Sequence, residues 1–140
     1  DIDVEDYFID NMAKQLYKNP ERFHNKVLLS TNLFMDIISE EASALIGSIG
    51  NVYSANIGDN YAMFEPAHGS SPKYKGQDKI NPTATVLSAA WMLQYLGDEK
   101  AGNDIFEATE KVISEGKYVT YDLGGTSKTS EMTSEIIKYL

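Results

Sequence analysis

From Pro66 to Asn81 the chain has no helical or strand period, yet it carries Gly69, Gly76, Pro72, three lysines (Lys73, Lys75, Lys79) and a single acid, Asp78. A stretch of this length without regular structure inside a compact domain is usually functional or disordered. Glycines and prolines at intervals along it argue for a shaped loop. Such a loop needs regular elements at both ends. Tyr61-Ala62-Met63-Phe64-Glu65 reads as the strand that delivers it. Asn81-Pro82 reads as the start of the helix that follows, because asparagine can cap free N–H groups and proline is tolerated in the first turn. That helix is expected to reach Leu96 and stop at Gly97.

The remaining pattern alternates. Val4, Phe8, Met12 and Leu16 recur every four residues and, with Tyr7, predict a first helix closed by Pro20. Val27-Leu28-Leu29 is an apolar run expected to be a buried strand. Leu33 to Ile46 has helical spacing and stops at Gly47. After Gly47-Ser48-Ile49-Gly50 a polar stretch runs to Asn60. A helix is predicted over Glu99–Glu115, with Ala101, Ile105, Ala108 and Val112 on its apolar side and Gly116 at its end. Tyr118-Val119-Thr120-Tyr121 reads as a short strand and Asp122-Leu123-Gly124-Gly125-Thr126-Ser127 as a turn. A last helix carries Met132, Ile136, Ile137 and Leu140. Trp91 and the methionines fall at helical spacing and read as core. The alternation predicts an α/β fold, with helices packed on a parallel or mixed sheet of about three strands. Strands flanked by helices need neighbours to bury both faces of a sheet. Few strands beside many helices therefore predict a fold that is incomplete without an N-terminal half.

Apolar content of 42% and aromatic content of 11% are those of a globular protein. A net charge of -9 argues against nucleic acid and anionic membrane surfaces as partners. With no cysteine there is neither a disulfide framework nor a thiolate metal site. No apolar run is long enough to span a bilayer. The acidic start Asp1-Ile2-Asp3-Val4-Glu5-Asp6 is unlike a signal or transit peptide, so the expected location is cytoplasmic. The absence of an initiator methionine suggests a processed or truncated piece. Against the acidic whole, the loop has a formal charge of +2, three lysines less one aspartate. Two readings stay open at this point: solvated surface lysines, or a pocket for a multiply charged anion such as a phosphate.

Several residues could carry chemistry. Asp36 and Glu40 are four apart on a predicted helix, which sets both on one face about one turn apart. Such a pair either shares a hard divalent cation or forms an acidic solvated face. Asp10, between Ile9 and Asn11, is by spacing alone a polar residue beside an apolar stripe. His68-Gly69 opens the loop, where glycine permits close backbone approach and histidine could stack on a base or donate to a phosphate. Lys73 and Tyr74 offer a point charge and an aromatic donor side by side, suited to a phosphate monoester on a ribose. Tyr121 ends the last predicted strand, where a tyrosine often packs its ring and wets its hydroxyl. Neither G-x-G-x-x-G nor a Walker A sequence is present, so any nucleotide is bound another way.

These stretches together resemble the metal-dependent β-decarboxylating dehydrogenases, the isocitrate/3-isopropylmalate dehydrogenase family, which includes homoisocitrate dehydrogenases. The resemblance is carried by Ile9-Asp10-Asn11-Met12-Ala13, by Thr31-Asn32-Leu33-Phe34-Met35-Asp36-Ile37-Ile38-Ser39, by Ser54-Ala55-Asn56-Ile57-Gly58-Asp59, by the Phe64–Pro82 loop and by Asp122-Leu123-Gly124-Gly125. It covers essentially the whole chain, in family order. It implies that Asp36 is a ligand of Mg²⁺ or Mn²⁺ and that Asp10 reaches the metal of the neighbouring subunit in a homodimer. Glu40 stands where the family usually has a second aspartate, and Met35 where it commonly has glycine. Ile49, Gly50, Glu65, His68, Gly69 and Asn81 match positions lining the nicotinamide cofactor.

Lys73, Tyr74 and Tyr121 resemble the NADP pattern, since NAD-dependent members usually have an aspartate in place of Lys73. Some NADP-dependent members carry an arginine where Gly125 stands. The implied activity is oxidative decarboxylation of isocitrate to 2-oxoglutarate with NADP and Mg²⁺ or Mn²⁺. The implied organisation is residues 1–46 in a small, dimer-forming domain and 47–140 in the larger cofactor domain. The family's proton-transfer lysine and tyrosine, and its substrate-holding arginines and serine, have no counterpart in this sequence. No catalytic residue is therefore assigned here, and the chain alone is expected to be inactive. The alternatives are 3-isopropylmalate or homoisocitrate as substrate, or a non-catalytic regulatory subunit that keeps the nucleotide loop.

Overall fold

A computed structural model describes residues 2–140; Asp1, the first residue of the acidic start, lies outside the described residues. The chain divides into two compact units, Asp1–Ile46 and Gly47–Leu140.

The first unit contains α1 (Ile9–Lys18), a 3₁₀ turn (Pro20–Phe23) and α2 (Asn32–Leu45). Met12 and Leu16 of α1 are buried with Ile38 of α2, and Tyr7, Ala13, Phe23 and Ala42 pack around them. The predicted four-residue stripe is therefore only half used. The helix starts at Ile9, not near Val4: Phe8 is extended, with φ -66° and ψ 143°. Val4 is 76% and Phe8 86% exposed, since Ile38 offers a surface only to the next two turns. Glu5 instead ties the preceding segment down, accepting a hydrogen bond from the Tyr7 hydroxyl at 2.7 Å and pairing with Arg22 at 2.9 Å. Val27-Leu28-Leu29 is not the expected buried strand. Val27 and Leu29 are 93% and 94% exposed. A strand exists only where a neighbour takes up its backbone hydrogen bonds, and this run pairs with none among the described residues.

The second unit is built on a hairpin. β1 (Tyr53–Ile57) and β2 (Ala62–Pro66) run antiparallel, in register from Tyr53 opposite Pro66 to Ile57 opposite Ala62. The Gly58 N–H donates to the Tyr61 carbonyl across the turn at 2.9 Å. The sheet among the described residues is this antiparallel pair, so the parallel or mixed pairing and the count of about three strands are corrected. Tyr118–Tyr121 is not a strand: Val119 and Thr120 are buried in irregular backbone, and Tyr121–Leu123 winds into a 3₁₀ turn. The class itself is α/β with an incomplete sheet: five α-helices and two strands among the described residues.

Three helices follow: α3 (Thr83–Tyr95) covers the hairpin, α4 (Glu99–Glu115) packs on α3, and α5 (Thr129–Lys138) packs on α4. Trp91 of α3 meets Tyr53 and Phe64 of the two strands edge-on, each at 5.8 Å between ring centroids; such pairs add about 0.5–1.5 kcal/mol each to the burial. α3 and α4 approach closely because residue 102 is glycine: a Cβ there would lie 2.3 Å from the Gln94 Cγ and 2.7 Å from the Ala90 carbonyl. Asp98 caps α4 by accepting from the Ala101 N–H at 3.1 Å. Ala108, Val112, Val119, Met132 and Ile136 form a buried cluster that packs α5 onto α4. Among the described residues no helix is long and apolar enough to cross a membrane.

Candidate functional site

The loop leaving β2 is ordered by backbone turns. Pro72–Tyr74 forms a 3₁₀ turn, and Ser71, Gly76 and Asp78 adopt positive φ of 42°, 75° and 50°. The loop folds back over a cleft in the second unit. Six residues singled out from sequence line it together: Ile49, Gly50, His68, Tyr74, Asn81 and Tyr121. They come from four places in the chain, brought together because α3 starts at the cleft and the Tyr121 turn closes it. Glu65, Gly69 and Lys73 lie outside the lining. Glu65 is on β2 and accepts from the Asn56 amide at 3.3 Å. Gly69 is exposed beside His68, whose Nδ1 lies 2.9 Å from the Gly69 carbonyl oxygen. Lys73 is exposed at the rim, its Nζ 4.8 Å from the Tyr74 ring centroid.

Asn81 is the hub of the cleft floor. It is 6% exposed. Its Oδ1 accepts from the Thr83 N–H at 2.9 Å, capping α3, while its amide donates to Asn51 at 2.8 Å and to Asp122 at 3.0 Å. Both amide donors are thus already used within the chain. Gly50 stands against this hub: a Cβ there would sit 2.9 Å from the Asn81 Cβ and 3.1 Å from the Asp122 Oδ2.

Asp122 was read from sequence only as part of a turn. In the fold it lines the cleft, and its Oδ1 accepts from the Thr120 hydroxyl at 2.6 Å. Burial pushes its carboxyl up, but the hydrogen bonds from Thr120, Ser48 and Asn81 outweigh that and hold it below the usual aspartate value.

The mouth of the cleft is aromatic and cationic. Tyr74 and Tyr121 stand with ring centroids 6.4 Å apart. Hydrogen bonding from the Tyr121 hydroxyl, and then the Lys73 ammonium, lowers the Tyr74 phenol, while Tyr74 and burial raise that of Tyr121. Lys79 joins them, its Nζ 4.7 Å from the Tyr121 centroid and 5.5 Å from that of Tyr74. Sequence reading counted Lys79 only as one charge among three. The acid expected to offset these lysines faces elsewhere: Asp78 bonds Ser130 of α5. Lys73, Lys75 and Lys79 take part in none of the ion pairs among the described residues. Hydroxyls, an imidazole and unpaired ammonium groups around one cleft form a donor set suited to the phosphates and sugar hydroxyls of a dinucleotide.

The predicted metal residues lie in the first unit. Asp36 and Glu40 are both on α2, one turn apart and exposed; Asp10 is exposed on α1, its Oδ1 accepting from the Asn11 N–H at 2.8 Å. No three histidine or acidic side chains among the described residues are grouped to hold a metal. Asp36 and Glu40 suit a hard divalent cation as two oxygen donors of a larger set.

A profile described as isocitrate/isopropylmalate dehydrogenase matches residues 1–136. The chain belongs to the isocitrate/isopropylmalate dehydrogenase family. Its relatives include a homoisocitrate dehydrogenase of Methanocaldococcus jannaschii, 46% identical over 99% of this chain and 39% of that protein. An NADP isocitrate dehydrogenase of Thermus thermophilus is 44% identical over 100% of the chain and 28% of its own length. The crystal structure of isocitrate dehydrogenase from Methylococcus capsulatus superposes with a TM-score of 0.93 at 37% identity, covering 99% of this chain and 41% of that one. The chain thus spans well under half the length of these relatives, and it matches their C-terminal portion. Members of the family are dehydrogenases that use NAD(P) and a divalent metal.

Proposed function

We propose that this chain is the C-terminal portion of an NADP-dependent isocitrate dehydrogenase that uses Mg²⁺ or Mn²⁺. The observation that carries the reading is the cluster of uncompensated lysines around the Tyr74–Tyr121 pair. In a chain of net charge -9, a local surplus of ammonium groups beside two phenols favours a ligand with an extra phosphate. Lys73 supplies a charge that attracts a 2′-phosphate, where an aspartate would repel it. Tyr74 and Tyr121 offer hydroxyls to the same group. Ile49, Gly50 and His68 line the path toward the nicotinamide, and Asn81 shapes its floor, with Glu65 and Gly69 at the margins.

Residues 1–46 are assigned to the dimer-forming domain. There Asp36 and Glu40 hold the cation, and Asp10 serves the site of the second subunit. When bound, the cation supplies Lewis-acid polarisation of the substrate's hydroxyl and adjacent carboxylate, and the nicotinamide supplies the hydride acceptor. The chain's own part is to bind and orient both. Proton transfer and recognition of the substrate's third carboxylate are assigned to the N-terminal half.

Homoisocitrate is a second substrate reading, favoured by the 46% identity to the Methanocaldococcus enzyme. The test is steady-state kinetics of the intact protein with Mn²⁺, NADP⁺ or NAD⁺, and isocitrate, homoisocitrate or 3-isopropylmalate. The expected result is the highest kcat/KM with isocitrate and NADP⁺. Replacing Lys73 by aspartate is expected to shift the NADP⁺-to-NAD⁺ preference by at least about tenfold toward NAD⁺, one lost charge contact. An unchanged preference in K73D would refute the role of the lysine cluster.

A further inference from the structure

Asp78 is an unusual residue to find in a cationic loop. It is not glycine, yet it holds φ at 50°, a conformation that aspartate and asparagine tolerate better than other side chains. Its carboxylate makes no ion pair with the neighbouring lysines. It turns to the first residues of α5: Oδ1 accepts from the Ser130 N–H at 2.9 Å, and Oδ2 accepts from the Ser130 hydroxyl at 2.6 Å. The backbone joins in, the Asp78 carbonyl accepting from the Thr129 N–H at 3.1 Å. The Thr129 hydroxyl also donates to the Ile80 carbonyl. Four hydrogen bonds thus fasten two loop residues, Asp78 and Ile80, to residues some fifty places later in sequence, and they bracket Lys79. Next to this anchor, Lys79 sits over the Tyr74 and Tyr121 rings and Ile80 lines the cleft. Free N–H groups at a helix start favour an anion, and here the loop itself provides one.

We propose that Asp78 is a positioning residue: by clamping the loop to the start of α5 it holds Lys79 in place against the Tyr74–Tyr121 pair. The clamp removes the one negative charge from the face that the lysines present, and it fixes a chain segment that has neither strand nor α-helix. Its bearing on cofactor affinity rests on the reading of the cleft given above; its bearing on loop order does not.

The experiment uses the intact protein and its D78A, D78N and S130A variants, with far-UV circular dichroism to confirm folding. Limited trypsin digestion followed by mass spectrometry reads cleavage after Lys73, Lys75 and Lys79 without any ligand. D78A is expected to be cut about tenfold faster there, S130A to fall between it and wild type, and D78N to stay within about twofold of wild type, because asparagine keeps the φ preference and an oxygen for the Ser130 N–H. Should D78A fail to fold, S130A against D78N decides the same question. Equal cleavage of all folded forms overturns the clamp. NADP⁺ titration by calorimetry, with kinetics, is the second readout: D78A is expected to bind about tenfold more weakly, raising KM for NADP⁺ with kcat within about twofold, and D78N to restore it. A wild-type protein that binds neither dinucleotide refutes the reading of the cleft, while the trypsin result still decides the clamp.

Discussion

Gly124 and Gly125 lie side by side in the turn that closes the cleft, yet they are glycine for different reasons, and the difference can be measured. Gly124 has φ of 82° with no atom within 4 Å of where a Cβ would be. Alanine there suffers only the left-handed backbone, about 1–2 kcal/mol. At Gly125 a Cβ would lie 2.0 Å from the Val119 carbonyl oxygen and 2.7 Å from its Cγ2. Relief requires the turn to move by more than about 1 Å, on the scale of ordinary van der Waals contact distances. That turn is held by the Gly125 N–H donating to Thr120 and the Ser127 N–H donating to Val119, both at 3.0 Å. Overpacking costs about 1–3 kcal/mol, and one strained or lost hydrogen bond about 1 kcal/mol more. G125A should therefore lose about 2–4 kcal/mol and lower the thermal midpoint by at least twice as much as G124A, measured by scanning calorimetry on the intact protein. Equal losses, or a larger loss in G124A, would refute the steric reasoning. An arginine at 125, as some NADP-dependent members have, carries the same Cβ and meets the same wall. In this chain Lys79 stands over the Tyr74 and Tyr121 rings near the same turn.

Two further outcomes follow from the geometry. Asp122 has a folded pKa held below the ordinary carboxylate value, so its stabilisation is present above about pH 4 and is lost as pH falls through the folded value. The urea midpoint of the intact protein should therefore drop more steeply between about pH 5 and pH 3 than that of D122N; parallel curves would remove Asp122 from the network. For the proposed metal site, D36N should weaken Mn²⁺ binding by calorimetry at least about tenfold and E40Q by less, since each removes one ligand charge; an unchanged D36N titration would place the cation elsewhere.

Much of the helical frame was legible in the sequence because its signals are local. Gly97 and Gly116 at ends and Pro82 at a start act within one turn, and α2 to α4 lie within a residue or two of their expected bounds. Strands were less legible because their existence depends on partners. Val27–Leu29 and Tyr118–Tyr121 have strand composition but no neighbour, whereas β1 was overlooked because Ser54 and Asn56 make it look like a polar linker. Of the site, the residues with distinctive neighbours in sequence (His68, Tyr74, Asn81, Tyr121) do converge on one cleft. The roles of Asp122, Lys79 and Asp78 were hidden because each is set by an element some forty or fifty residues away: a carboxylate counted as a counter-charge turned out to face a helix end.

The sole tryptophan of the chain is the wedge on which both hairpin strands rest. Its indole meets the Tyr53 ring of one strand and the Phe64 ring of the other. Its emission is therefore a built-in gauge of whether the sheet stays seated on its helix.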